Sequence, residues 1–104
     1  MADHRNYSDA ALAFLRANLG FYGSEIPEDL ETYLMQLLSY AYDAFDAMGI
    51  SLQPGVLADD MDQAIFAAWL YRNGPSGAGK TQQLRDMIRN RQVRLAMEGQ
   101  YHDL

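Results

Sequence analysis

The sequence predicts an all-α single domain of four helices with a long central helix, and three observations lead there. Apolar residues recur with a 3.6-residue rhythm in four separate segments. Acidic residues gather where those segments begin and glycines follow where they end, as helix dipoles and caps favour. No segment reads convincingly as a strand. The 104 residues are 49% apolar, enough for one modest core and too few for two domains.

The first helix is predicted from about Ser8 to Leu19. Ser8 is its N-cap, Leu12, Leu15 and Leu19 form its apolar stripe, and Gly20 stops it. The loop 21–26 follows. The second helix is the long one, from about Pro27 to Met48, roughly 33 Å at 1.5 Å per residue. Pro27, Glu28, Asp29 and Glu31 suit a first turn. Its stripe is Leu30, Leu34, Leu37, Leu38, Ala41, Phe45 and Met48, and Gly49 ends it. Tyr33, Tyr40 and Tyr42 lie off the stripe's centre, as rim packing or as contact surface.

Residues 49–58 contain Pro54 and Gly55 and read as a loop with Leu52 and Leu57 turned inward. The third helix is predicted over 59–73, with Met61, Ile65, Phe66, Trp69 and Leu70 in rhythm and Ala64, Ala67 and Ala68 favouring helix. The fourth runs from about Thr81 to Glu98, with Leu84, Ile88 and Leu95 on one face and arginines around them. Residues 99–104 are expected to fray. Leu34, Leu38, Phe45, Ile65, Trp69, Leu84 and Ile88 are predicted to share one core, with Met35, Met48, Met61, Met87 and Met97 as filler.

Residues 74–81 read Gly-Pro-Ser-Gly-Ala-Gly-Lys-Thr, matching the phosphate-binding pattern G-x-x-x-x-G-K-[ST] at every position. Average residue usage places this pattern by chance in about one chain in 300 of this length. In a working loop, Lys80 would reach the β/γ-phosphates and Thr81 would hold Mg²⁺. That chemistry needs a buried strand before the loop and a parallel sheet around it. Here the preceding segment is helical, and one helix is all that the following residues supply. Gly74, Gly79, Lys80 and Thr81 are therefore predicted to be a coincidental match in an interhelical loop, with Gly74 at a helix end and Thr81 as the next N-cap.

The net charge of −6 is unevenly distributed. Residues 1–71 hold eleven acidic and two basic side chains; residues 72–104 hold six basic and three acidic. Nucleic-acid binders usually carry a larger basic excess, interleaved with aromatics. Attraction between an acidic and a basic face of neighbouring copies fits better. The predicted contact residues are Arg85, Arg89, Arg91 and Arg94 on one side and Asp43 and Asp46 on the other.

Other chemistries lack residues. There is no Cys, hence no disulfide, thiolate or Cys-based zinc site. The only histidines, His4 and His102, stand at opposite ends of the chain, so no metal site and no Ser–His–Asp arrangement is expected. Asp59, Asp60 and Asp62 cluster at a helix start, where a Mg²⁺ site is the sharp reading and dipole complementation the favoured one. No enzyme activity and no cofactor are expected. The N-terminus lacks the features of a signal peptide and no apolar run could span a membrane, so an intracellular protein is expected.

Residues 27–97 resemble the small head–tail connector proteins of tailed phages, also called head-completion, adaptor or DNA-packaging proteins. The likeness lies in the acidic opening and long amphipathic helix of Pro27–Met48, and in an Asp-led, Ala-rich helix closing on Tyr71-Arg72-Asn73. A last helix carrying Gln83-Leu84-Arg85 completes it. Family members often end the third helix on Tyr-x-Asn-Arg; Tyr71 and Asn73 match, and Gly74 stands at the arginine position. The resemblance implies a structural protein of the phage or prophage virion, made in the bacterial cytoplasm, that forms a ring beneath the portal. Its partners would be itself, the portal protein and tail-side connector proteins, with DNA passing through the ring and no specific nucleic-acid site. The competing classes are an NTP-binding module built on Gly74–Thr81 and a small helical nucleic-acid-binding protein.

Overall fold

The structure, a computed structural model, describes residues 6–21, 25–73 and 82–102. Four helices make up the fold: α1 (Asp9–Asn18), α2 (Glu28–Ala47), α3 (Leu57–Asn73) and α4 (Gln82–His102). There is no strand among the described residues. The all-α, four-helix expectation is met.

Local signals set the first two helices. Ser8 caps α1, its hydroxyl oxygen accepting from the Ala11 amide at 3.1 Å. At the other end, the amides of Gly20 and Phe21 donate back to the Ala17 and Arg16 carbonyls. The same paired closure ends α2, where Gly49 and Ile50 donate to Asp46 and Phe45. Gly49 stands at φ +82°, a conformation that a side chain disfavours. Pro27 precedes α2 at φ −56° and leaves no amide to satisfy.

The helix in contact with all the others is α3, and the long α2 packs along it. The ring pairs Tyr33–Tyr71 and Phe45–Phe66 make α2 and α3 antiparallel. Ala64, Ala67 and Ala68 are buried beside Phe66, Trp69 and Leu70. Small side chains let neighbours approach closely, and the more exposed Ala58, Met61, Asp62, Ile65 and Arg72 fall on one side of α3. Phe45, Phe66 and Trp69 form an aromatic run with centroids 5.3 and 5.9 Å apart. Full burial of one such side chain contributes about 1.5–3 kcal/mol.

The predicted core is largely present: Leu34, Leu38, Phe45, Trp69, Leu84 and Ile88 are buried together. Several expectations need correction. Ile65 is only partly buried. Leu57, expected inward, is the first residue of α3 and 63% exposed. Leu95 and Met97, in the outer half of α4, are also exposed, as is Met61, which borders an open groove between α1 and α3. The third helix begins two residues earlier than expected. The fourth stays helical through His102 instead of fraying from residue 99, since a lone Gly99 costs only about 1 kcal/mol and no proline follows. Thr81, expected as its N-cap, and residues 103–104 lie outside the described residues.

α4 is attached differently from the rest. Among the described helices it touches only α3, and Leu84, Ile88 and the half-buried Met87 and Arg91 are on its inner side. Arg91 meets the start of α3, so α4 runs antiparallel to α3. Residues 92–97 are all exposed. The radius of gyration is 14.6 Å, against about 13 Å for a compact domain of this size.

Candidate functional site

The acidic start of α3 is a structural junction. Pro54 and Gly55 occupy the centre of a turn closed by the Val56 amide donating to the Gln53 carbonyl. Gly55 stands at φ +96°, as the third position of a type II turn requires. Two carboxylates hold that turn from the helix side. Asp59 Oδ2 accepts from the Gln53 amide at 2.9 Å, and Asp60 Oδ1 accepts from the Gly55 amide at 3.1 Å. Both residues are buried, Asp60 almost completely.

The same cluster anchors α4. The Arg91 guanidinium bridges Asp59 Oδ1 and Asp62 Oδ2, the latter at 2.7 Å. Partial burial opposes the Arg91 charge, but hydrogen bonds to Asp62 and Asp59 outweigh it and raise its pKa above the ordinary arginine value. A raised folded-state pKa means that this contribution is fully present below the unfolded-state arginine pKa and is lost only as pH rises, in strongly alkaline solution, through the folded-state one. Arg91 therefore gives no pH dependence in the neutral range. The carboxylates that could have suggested Mg²⁺ are thus committed to a turn and to a cation of the same chain. Among the described residues, no three His, Asp or Glu side chains converge as metal ligands.

Of the predicted contact residues, Arg91 is engaged within its own chain. Arg85, Arg89 and Arg94 on α4 and Asp43 and Asp46 on α2 are exposed. The structure does not bring the two sets together: α4 makes no contact with α2 among the described residues. An open groove of about 700 Å³ separates α4 from the start of α3, lined by Ala58, Asp62, Met87, Asn90 and Arg94. A smaller one of about 270 Å³ lies between α1 and α3, with Phe14, Ala17, Met61 and Ile65 on its walls.

Gly74, Gly79, Lys80 and Thr81 lie outside the described residues. Their flanks are described, and they are the helices α3 and α4. A phosphate-binding loop needs a strand on its leading side, so the helical context argued from the sequence stands. Tyr71 and Asn73, the positions shared with the connector pattern, have structural roles. Tyr71 packs against Phe21 and Tyr33, and Asn73 Nδ2 donates to the Trp69 carbonyl.

Two features escaped sequence reasoning. Gln63 is buried, and its Nε2 donates to the Asn6 carbonyl at 2.7 Å and the Leu38 carbonyl at 2.9 Å, tying α3 to the chain before α1 and to the middle of α2. The signal was a glutamine inside an alanine-rich segment, and it does not name its partners. Arg72 Nη2 donates to the Asn18 carbonyl at the end of α1, where a cation is favoured.

Comparison with family profiles, curated proteins and solved structures returned no match for this chain. Among the described residues, no helix is long and apolar enough to cross a membrane.

Proposed function

We propose that this chain is a non-catalytic, self-assembling structural subunit, and specifically a tailed-phage or prophage head–tail connector that forms a ring beneath the portal. One observation carries the reading. The acidic surface of α2 and Arg85, Arg89 and Arg94 of α4 are exposed on helices that do not meet among the described residues. Another molecule can satisfy their attraction, and a second copy supplies the matching surface. A contact between two different faces is heterologous and closes into a ring when its rotation permits. The connector identity rests on the sequence resemblance over residues 27–97, and the exposed outer half of α4 is consistent with it.

Sedimentation tests the reading. The wild-type chain should associate at low salt and dissociate as salt rises, because the screening length shrinks to about 8 Å at physiological ionic strength. An Arg85→Glu/Arg89→Glu variant should stay monomeric. Equal association of both proteins at both salts would remove the electrostatic seam. Micromolar Mg-ATP or Mg-GTP binding abolished by Lys80→Ala would replace this reading with the NTP-binding one.

A further inference from the structure

One face of α2 has a composition unlike the rest of the surface. Asp29, Tyr33, Gln36, Tyr40 and Asp43 follow one another at spacings of four, three, four and three residues, and all are exposed. Such spacing places them in a single stripe along the helix. Tyr33 is 39% and Tyr40 49% exposed. No Lys or Arg occurs anywhere in α2. Tyr33 is braced from behind, its ring 6.2 Å from Tyr71, which lies 6.4 Å from Phe21. A tyrosine held in place loses little freedom on binding, and tyrosines backed this way are typical interface anchors.

The complementary face is on α4. Opposite the side that carries Leu84, Ile88 and Arg91, the exposed residues Arg85, Arg89, Val93 and Ala96 form a stripe of their own. Val93 is 50% exposed. Acid and tyrosine on one helix meet arginine and aliphatic residues on the other. The repeats also agree in length: Asp43 to Tyr33 spans ten residues, and Arg85 to Ala96 spans eleven.

We propose that the Asp29–Asp43 stripe of α2 is the docking site for the exposed face of α4 from a second copy, the two helices running antiparallel. Arg85 meets Asp43, Arg89 lies over the Tyr40 ring as a cation–π pair, and Val93 and Ala96 pack on Gln36 and Tyr33. The proposal rests on the self-association reading above and adds its acceptor surface and register.

The chain has no cysteine, so paired cysteine variants report only the contact they are placed to test. Gln36→Cys and Val93→Cys are mixed and oxidised, in parallel with Phe14→Cys and Val93→Cys, the second pair probing the α1–α3 groove. The Gln36–Val93 pair should form the interchain disulfide and the Phe14–Val93 pair should not. Tyr40→Ala should weaken association about tenfold. Asp43→Arg should abolish it, and Arg85→Asp in the same chain should restore it. Gln36, Tyr40, Asp43, Arg85 and Val93 are exposed, and thermal melts of the variants at these sites should match wild type; Phe14 is half-buried, and its variant is used only where its melt shows it folded. Association of the wild type with disulfide formation only through Phe14 would overturn this docking site and leave self-association standing. A wild type that stays monomeric at all concentrations and salts would overturn both.

Discussion

α3 and α4 are similar in length, 17 and 21 residues, and opposite in circumstance. α3 is covered by three neighbours. α4 rests on α3 through its first half and then leaves the bundle. The difference follows from what each carries. α3 has three buried alanines and one basic residue, Arg72. α4 has four arginines, and Leu84 and Ile88 are its only buried side chains among those described. A helix that is apolar nearly all round needs several partners, whereas one with a short apolar strip needs only one. Stability is therefore concentrated in residues 6–73, and α4 is held by a local clasp.

The largest test of this contrast is Trp69→Ala. It removes one end of the aromatic run, the Trp69 ring packed on Phe66, and should cost about 3–5 kcal/mol in global stability, read by urea denaturation. A loss below 1 kcal/mol would mean that α3 is not the organising element. Next comes Gln63→Leu, which keeps the volume and deletes both hydrogen bonds. It leaves the Asn6 carbonyl without its donor and should cost about 1–3 kcal/mol. Arg91→Ala should act locally, costing about 1–2 kcal/mol in the docking of α4. In hydrogen exchange the α4 amides should lose protection while the α3 amides keep theirs; a uniform loss would show that the two helices unfold as one unit. The smallest effect belongs to Leu95→Ala, which should change stability by no more than about 0.5 kcal/mol. A larger loss would place the outer half of α4 in the core after all.

The sequence carried some of this contrast and withheld the rest. The helix ends were legible because Ser8, Gly20, Pro27 and Gly49 act on their own neighbours. Leu34, Leu38 and Phe45 were legible because one stripe on a long helix must face inward. The centrality of α3 was not, since alanine burial follows from how many helices surround it and periodicity does not count neighbours. Leu95 misled for a related reason: it lies on the same side of α4 as Leu84 and Ile88, but no element extends far enough to cover it. For the candidate site, the exposed arginines and Asp43 and Asp46 were readable as surface charge. The diversion of Arg91 to Asp59 and Asp62 was not, because those residues lie about thirty positions apart and only the antiparallel pairing of α3 and α4 brings them together.

Asp59 gives the junction a mechanical character. One of its oxygens holds the Gln53 amide in the connection between α2 and α3, and the other holds Arg91 on α4. Part of a pull on α4 is thus delivered through the Asp59 carboxylate to the hinge between α2 and α3, beside the part that Leu84 and Ile88 pass to the core. Strain from a partner gripping α4 would therefore reach the Pro54–Gly55 turn by a route of its own, through hydrogen bonds rather than through the packed layer of Phe45, Phe66 and Trp69.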